Sequence, residues 1–367
     1  MSTSAQLPAF LGQSKAELHA KFIDLEWQQR NRLLEGSKHP ANPADPPSKY
    51  AQLSGDAVTA RNRYWNIQPF AENRVKLDVP PESGVSDYIN ASPIVLGKRR
   101  YIATQGPKDT SVNHFYRMVA SDEIKSPVVV VMLTQTHESG REKCFQYYPL
   151  SAEESPLVIP EDPEIADGWR GQVVLESVQV DEEARCEVRH MRLQTTKRGR
   201  GETTAREEQW EEKEIHHLLF SGWPDFLVPE GADRTALLSL VRLSAQLNAP
   251  ASTSTAHTNG HILCATNQEN PRIVHCSAGV GRSGTFISLD YLLSLLYAGK
   301  LDDVAAEWDP IAETVDLLRQ QRMMMVQGEA QFHFLYEVLR ERVAERMGVG
   351  AVNGVDERPT EEGAGRT

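Results

Sequence analysis

One cysteine and one arginine, six positions apart, carry the chemistry that this sequence makes most legible. The stretch Ile273-Val274-His275-Cys276-Ser277-Ala278-Gly279-Val280-Gly281-Arg282-Ser283-Gly284-Thr285-Phe286 runs from a short apolar strand through a glycine-rich turn into an apolar helix. Such a turn aims successive backbone N–H groups at one point, and the helix N-terminus adds partial positive charge, so an anion fits there. Gly279, Gly281 and Gly284 leave room for its approach and for unusual backbone angles. Helix N-termini and nearby arginines favour the thiolate form of a cysteine, the form that attacks. Arg282 can grip two oxygens of a phosphate and meet the charge that builds during transfer. Ser283 can donate to the sulfur as it leaves a phosphoenzyme. A lone cysteine beside a glycine turn is usually inert, but here the strand, the spacing, the Arg-Ser pair and the helix occur together.

Several elements must position that loop. Val128–Leu133 is apolar at every position and fits a central strand covered on both faces. Tyr88–Leu96 and Arg100–Thr104 flank a Gly97-Lys98 turn and read as a hairpin. Val173–Val180, Cys186–Gln194 and Gln209–Phe220 read as further antiparallel strands, with a mixed-charge loop at 197–208. The C-terminal third is helical: Thr285–Tyr297 closed by Gly299, a helix from Asp309-Pro310, and a last amphipathic helix through Phe332, Leu335, Leu339 and Val343. Ser14-Lys15-Ala16-Glu17 fits a capping box opening an N-terminal helix that fades near Gly36.

Bulk properties set limits. The chain has 367 residues, 40% hydrophobic and 25% charged, with a formal net charge of −12. No basic block dominates, which argues against nucleic acid or an anionic membrane as the main partner. No apolar run approaches a bilayer span. Cys144, Cys186, Cys264 and Cys276 are too few and too scattered for a disulfide framework. Met1–Phe10 lacks a signal pattern, so a reducing cytoplasm is the expected compartment, with the nucleus also compatible. The expected division is a helical flank and linker over 1–48, a catalytic domain over 49–347 with a surface insertion at 249–270, and a disordered tail over 348–367. His257, His261 and Cys264 have ligand-like spacing but lack a fourth donor, so neither metal nor cofactor is expected.

The signature from His275 to Gly284 resembles that of the phosphotyrosine-specific protein tyrosine phosphatases, and the likeness extends over roughly residues 62–339. It implies a single α/β (α+β) domain whose highly twisted mixed central sheet is flanked by helices. It implies hydrolysis of phosphotyrosine in proteins through a phosphocysteine on Cys276, with Ser277, Ala278, Gly279, Val280, Gly281 and Arg282 cradling the phosphate. Trp223-Pro224-Asp225 matches the mobile acid loop, with Asp225 as general acid and then base, and Trp223 and Pro224 supporting it. Gln327 matches the glutamine that positions the hydrolytic water, and Gln331 its companion. Asn62-Arg63-Tyr64 resembles the loop whose aromatic wall sets pocket depth, favouring phosphotyrosine over the shorter phosphoserine. Glu138 and Lys143 match the loop that supports Arg282, and His275 fixes loop backbone. The motifs Asp87–Ala91 and Thr104–Pro107 match scaffold segments.

The chain departs from the pattern at four places: Asn66 where an aspartate commonly holds the substrate backbone, Met324 where some members have glycine, and Tyr116 and Tyr148 where tryptophans are common. The implied partners are tyrosine-phosphorylated proteins, kinases among them, met by a monomer. A dual-specificity or lipid phosphatase and a catalytically silent phosphotyrosine adaptor are the alternatives.

Overall fold

The computed structural model describes residues 7–38, 48–197, 209–224, 227–249 and 268–348. The elements in chain order are α1 (Lys15–Lys38), α2 (Asp56–Arg61), β1 (Ala91–Leu96), β2 (Arg99–Thr104), α3 (Val112–Ala120), β3 (Val128–Met132), β4 (His137–Glu138), β5 (Arg141–Glu142), β6 (Leu157–Ile159), β7 (Trp169–Asp181), β8 (Cys186–Lys197), β9 (Glu211–Phe220), α4 (Gly231–Leu247), β10 (Arg272–His275), α5 (Gly281–Tyr297), α6 (Pro310–Gln321) and α7 (Glu329–Arg346).

Eight strands form one mixed sheet in the order β1-β2-β10-β3-β9-β8-β7-β6. The four inner neighbours β2, β10, β3 and β9 run parallel, and both flanks are antiparallel. β9 therefore differs from its expected purely antiparallel pairing: it is antiparallel to β8 but parallel to β3. β3 is the run that expects cover on both sides, and it has it. Val129 and Val131 face the helices α4 to α7, whereas Val128, Val130 and Met132 pack toward α3. At about 25 cal/mol per Å² of apolar surface, such two-sided burial is what fixes the sheet's centre.

The parallel centre matters for the site because β10 delivers its C-terminal end, His275-Cys276, between β2 and β3. α5 then returns across one face, with every residue from Gly281 to Asp290 buried. α5 begins four residues before the apolar pattern does.

The caps behave as their chemistry predicts. The Glu17 carboxylate accepts from the Ser14 N–H at 2.7 Å, and the Ser14 hydroxyl accepts from the Glu17 N–H at 3.3 Å. Asp309 Oδ1 accepts from the Ile311 and Ala312 amides. Phe332, Leu335, Leu339 and Val343 are all buried on α7.

The N-terminal flank is helical, as α1, and it packs into the body: Leu18, Phe22 and Leu25 belong to the same core as α5 and α7. The end of the segment read as a surface insertion is built into the body. Gln268 is 2% exposed, and its amide donates to Ala245 O at 2.9 Å, so the side chain is satisfied internally. Residues 250–267, with His257, His261 and Cys264, lie outside the described residues, as do 198–208 and 349–367. Among the described residues no helix is long and apolar enough to cross a membrane, and no cluster of His, Cys, Asp and Glu could hold a metal ion.

Candidate active site

Cys276 sits at the C-terminal end of β10, 5% exposed, and the turn Ser277–Val280 leads directly into the first turn of α5. The opening N–H groups of a helix have no intrahelical acceptors, so this junction leaves donors facing the loop's interior. Gly279 makes the turn possible. Its φ is +70°, and a Cβ there would lie 2.1 Å from Thr104 O, so any side chain would force the loop off β2. Gly284 is equally constrained, since a Cβ would stand 2.4 Å from Val326 N.

The carbonyls of the same loop are held from behind. Arg322, fully buried, donates through Nε to Gly279 O at 2.9 Å and through Nη2 to Ala278 O at 3.0 Å. Its remaining donors reach Asn90 Oδ1 and Ser92 Oγ. Burial pulls Arg322 down to about 10 from the ordinary arginine range, still leaving it cationic at neutral pH. With their carbonyls pinned outward, the peptide units of this turn have their N–H groups available on the opposite side.

Arg282 enters from the first turn of α5. Its Nη1 and Nη2 donate to the two carboxylate oxygens of Glu138 at 2.6 and 2.8 Å, and Nη1 also reaches Leu133 O at 3.1 Å. Glu138, from the β4–β5 hairpin, accepts in addition from Thr134 Oγ1 at 2.8 Å and the Gln135 amide at 3.2 Å. Burial pushes that carboxyl up, but the Arg282 bonds and charge with the Thr134 and Gln135 donors outweigh it, so Glu138 lies below its usual range. The fork is therefore oriented before any ligand arrives.

Tyr64, in the segment after α2, places its hydroxyl 2.8 Å from Ser277 Oγ, which itself donates to Lys143 O at 2.9 Å, leaving the tyrosine as donor in the first pair. A ring from residue 64 is thus fixed to the rim of the Cys276 loop. Lys143 is buried, and its amide donates to Thr136 O at 2.8 Å. Asn66 is exposed, as is its neighbour Trp65 at 89%. The Ser283 hydroxyl is fully buried and, among the described residues, has no hydrogen-bond partner.

His275 is tied into a buried chain. Its Nδ1 lies 3.2 Å from Cys276 O, and its Nε2 lies 2.7 Å from Tyr147 Oη, which is 2.9 Å from His217 Nε2. A carbonyl can only accept, so His275 carries its proton on Nδ1, Tyr147 donates to His275 Nε2, and His217 donates to Tyr147. Burial drives His275 down to about 4 and His217 well below its ordinary value. Burial, with help from the Arg61 charge, lowers His114 to about 4 as well. Unfolded, these imidazoles take up protons near 6.5, whereas the native state keeps them neutral. Their stabilisation is full above about pH 6.5 and is lost as pH falls toward 4. Urea unfolding at pH 7.5 and pH 5 is expected to show a loss of roughly 2 kcal/mol from His275 alone.

The acid segment is described up to its edges. Trp223 is buried, its Nε1 donating to Leu227 O at 3.0 Å, and Pro224 is exposed. Asp225 lies outside the described residues. Gln327 is exposed in the loop between α6 and α7, and a Cβ on Gly281 would come within 3.5 Å of its own Cβ. Gln331, 7% exposed, accepts from the Gly328 amide at 3.3 Å and lies behind Gly281.

Sequence reasoning brought Cys276, Ser277, Arg282, Glu138, Tyr64 and Gln327 into view but not Arg322, Tyr147 or His217. An arginine directly before three methionines, Met323 to Met325, is a local pattern compatible with a buried cation that the sequence reading did not use.

Comparison with known proteins agrees with this geometry. Residues 58–341 match the family described as Protein-tyrosine phosphatase. The chain is 32% identical to Tyrosine-protein phosphatase 1 of Saccharomyces cerevisiae, over 92% of this chain and 97% of that one. It is 33% identical to Phosphatidylinositol phosphatase PTPRQ of Rattus norvegicus, over 79% of this chain. Three of the curated relatives it matches, the rat protein among them, are far longer, the chain spanning 10%, 39% and 18% of their lengths. Among solved structures, the catalytic domain of human protein tyrosine phosphatase non-receptor type 18 superposes with a TM-score of 0.65 at 25% identity, covering 91% of this chain and 99% of that one. On the evidence of its family match and its 32% identity to a relative of nearly the same length, the chain belongs to the protein-tyrosine phosphatase family.

Proposed function

We propose that the chain hydrolyses phosphotyrosine in proteins in two steps through Cys276. The sulfur attacks phosphorus as the bond to the phenolic oxygen breaks, and Asp225 gives that oxygen its proton. Water then attacks the phosphocysteine, oriented by Gln327, and returns a proton to Asp225 as the thiolate leaves with help from Ser283. The backbone of residues 277–282 and the Arg282 fork hold the phosphate oxygens. Trp223 and Pro224 carry the acid segment, Lys143 and Glu138 brace the cradle, and Asn66 meets the substrate backbone by neutral hydrogen bonding. The observation that carries this reading is the Arg282–Glu138 fork beside Cys276, with the loop carbonyls bonded outward to Arg322.

Tyrosine specificity is supported by Tyr64, whose ring is anchored to Ser277. The identity with a relative named for phosphatidylinositol gives a lipid reading its one specific support. The deciding experiment compares a phosphotyrosyl peptide, its phosphothreonyl counterpart and a phosphoinositide in detergent micelles. The expected kcat/KM for phosphotyrosine exceeds either by roughly a hundredfold or more. Faster phosphoinositide turnover would transfer the assignment to lipid.

Cys144, Cys186 and Cys276 are free thiols, consistent with a reducing cytoplasm. There the substrates would be tyrosine-phosphorylated signalling proteins, kinases among them, met by a monomer. Asp225→Ala is expected to lower kcat by about 10²–10⁴ while leaving the phosphate cradle intact. That variant should retain a phosphotyrosyl protein in a pull-down that the parent releases as product. An unchanged kcat would remove Asp225 from the mechanism.

A further inference from the structure

The loop that carries Gln327 is held by the N-terminal helix. On α1, Phe22, Glu26, Gln29 and Leu33 recur at helical spacing and share one face. That face meets α6 and, just beyond it, Met323 and Met324. The Glu26 carboxylate lies 2.9 Å from Arg319 Nη2 in an ion pair, and the Phe22 ring lies beneath the same guanidinium, 5.5 Å from ring centroid to Cζ. Arg319 is fully buried and donates to Met325 O and Val326 O, each at 3.0 Å. Three residues along α1 from Glu26, Gln29 is 1% exposed, and its Oε1 accepts from the Met324 amide at 3.2 Å. Arg32 bonds to Asp316, and Leu33 and Met324 both pack against the cluster of Tyr50, Phe70 and Met323.

The held segment is one that would not keep its shape unaided. Met324 and Val326 have φ of 61° and 54°. A β-branched residue in the left-handed region is a conformational outlier that persists only where its surroundings over-determine it. Here the surroundings are the two Arg319 bonds, the Gln29 bond and the Val326 amide, which donates to Val280 O at 3.2 Å on the phosphate loop. Gln327 is the next residue.

We infer that Glu26 and Gln29 are positioning residues for the second half-reaction: they lock, through Arg319 and the Met324 amide, the backbone that aims Gln327 at the attacking water. This rests on the phosphatase reading above. In that step the water oxygen bonds to phosphorus as the P–S bond breaks. The electron pair returns to the Cys276 sulfur, the water proton passes to Asp225, and inorganic phosphate leaves. The first half-reaction uses the thiolate, Arg282 and Asp225 and needs no water, so a misaimed Gln327 leaves it unaffected while the Val326 amide keeps its bond to Val280 O.

The test uses the full chain, its Glu26→Ala and Gln29→Ala variants, and p-nitrophenyl phosphate with rapid quenching. Decay of the phosphocysteine after a chase is expected to slow roughly tenfold, since small misplacements of a positioning group are costly, whereas its formation rate and kcat/KM stay within about twofold. A burst of p-nitrophenol should grow accordingly. Decay unchanged, or formation and decay slowed together, overturns the inference. Should Glu26→Ala fail to fold, Gln29→Ala, which removes one neutral bond, decides alone. A parent chain that forms no phosphocysteine refutes the phosphatase reading itself, an outcome distinct from a normal parent with unaltered variants.

Discussion

Cys276→Ser is expected to lower kcat toward p-nitrophenyl phosphate by about 10⁵-fold or more, the scale seen when an activated nucleophile is removed. Affinity for a phosphotyrosyl peptide should survive. The two effects separate because the cradle does not depend on the sulfur. Arg322 pins Ala278 O and Gly279 O, Glu138 pins Arg282, and Tyr64 is bonded to Ser277, each without involving Cys276 Sγ. A serine hydroxyl occupies nearly the same volume but stays protonated at neutral pH, so it fills the site without attacking. Steady-state kinetics read the loss, and calorimetry with the phosphopeptide reads the retained binding. Mass spectrometry after rapid quenching should find phosphate on the Cys276 peptide of the parent and not of the variant. Turnover within about tenfold of the parent would place the nucleophile elsewhere.

How much of this was legible in the sequence depends on whether the information was local. The Cys276 loop is contiguous, so strand, turn, thiol, guanidinium and helix stand in one stretch of chain. β3 was legible because burial on both faces requires the uninterrupted apolar run Val128–Met132. The Asp309-Pro310 cap was legible because capping acts between neighbours. By contrast, α3 went unread although Val112, Phe115, Tyr116 and Val119 recur at helical spacing: it is only nine residues long, and the polar residues Asn113, His114 and Arg117 are buried as well, with Asp162 beside His114 and Asp167 bonded to Arg117, partners some fifty residues distant. The start of α5 is concealed for a different reason. Gly281 and Gly284 are poor evidence of a helix on propensity, yet the close approach of Val326 to Gly284 leaves no room for a side chain, and tertiary packing overrides the preference. Arg322 and Arg319 were invisible as supports because the groups they hold in the loops at 278–279 and 325–326 are backbone carbonyls, which no residue type announces.

Arg282→Lys is the substitution that separates charge from geometry. Lysine keeps the positive charge but replaces a planar fork of five donors with a single ammonium on a flexible stem. In the present arrangement Glu138 takes both terminal nitrogens of Arg282, at 2.6 and 2.8 Å, and Leu133 O takes a third contact, so the guanidinium plane is set by two points and cannot swing. A lysine ammonium can satisfy Glu138 or a phosphate oxygen, but it cannot bridge the carboxylate while presenting two parallel donors to an equatorial pair of oxygens. If the fork matters chiefly in the transition state, where charge on those oxygens is rearranging, kcat and kcat/KM should fall together by about 10²–10³, as on removing an oxyanion donor. Were its role only electrostatic attraction of a dianion, KM would rise with kcat nearly unchanged. Glu138→Gln gives the complementary reading. It leaves the arginine and much of the bonding shape but removes the countercharge, so a smaller loss of roughly tenfold is expected, with kcat again the affected parameter. The order of these effects, arginine identity before carboxylate charge, follows from the proposed mechanism, in which the fork contacts the phosphate and Glu138 acts through the fork.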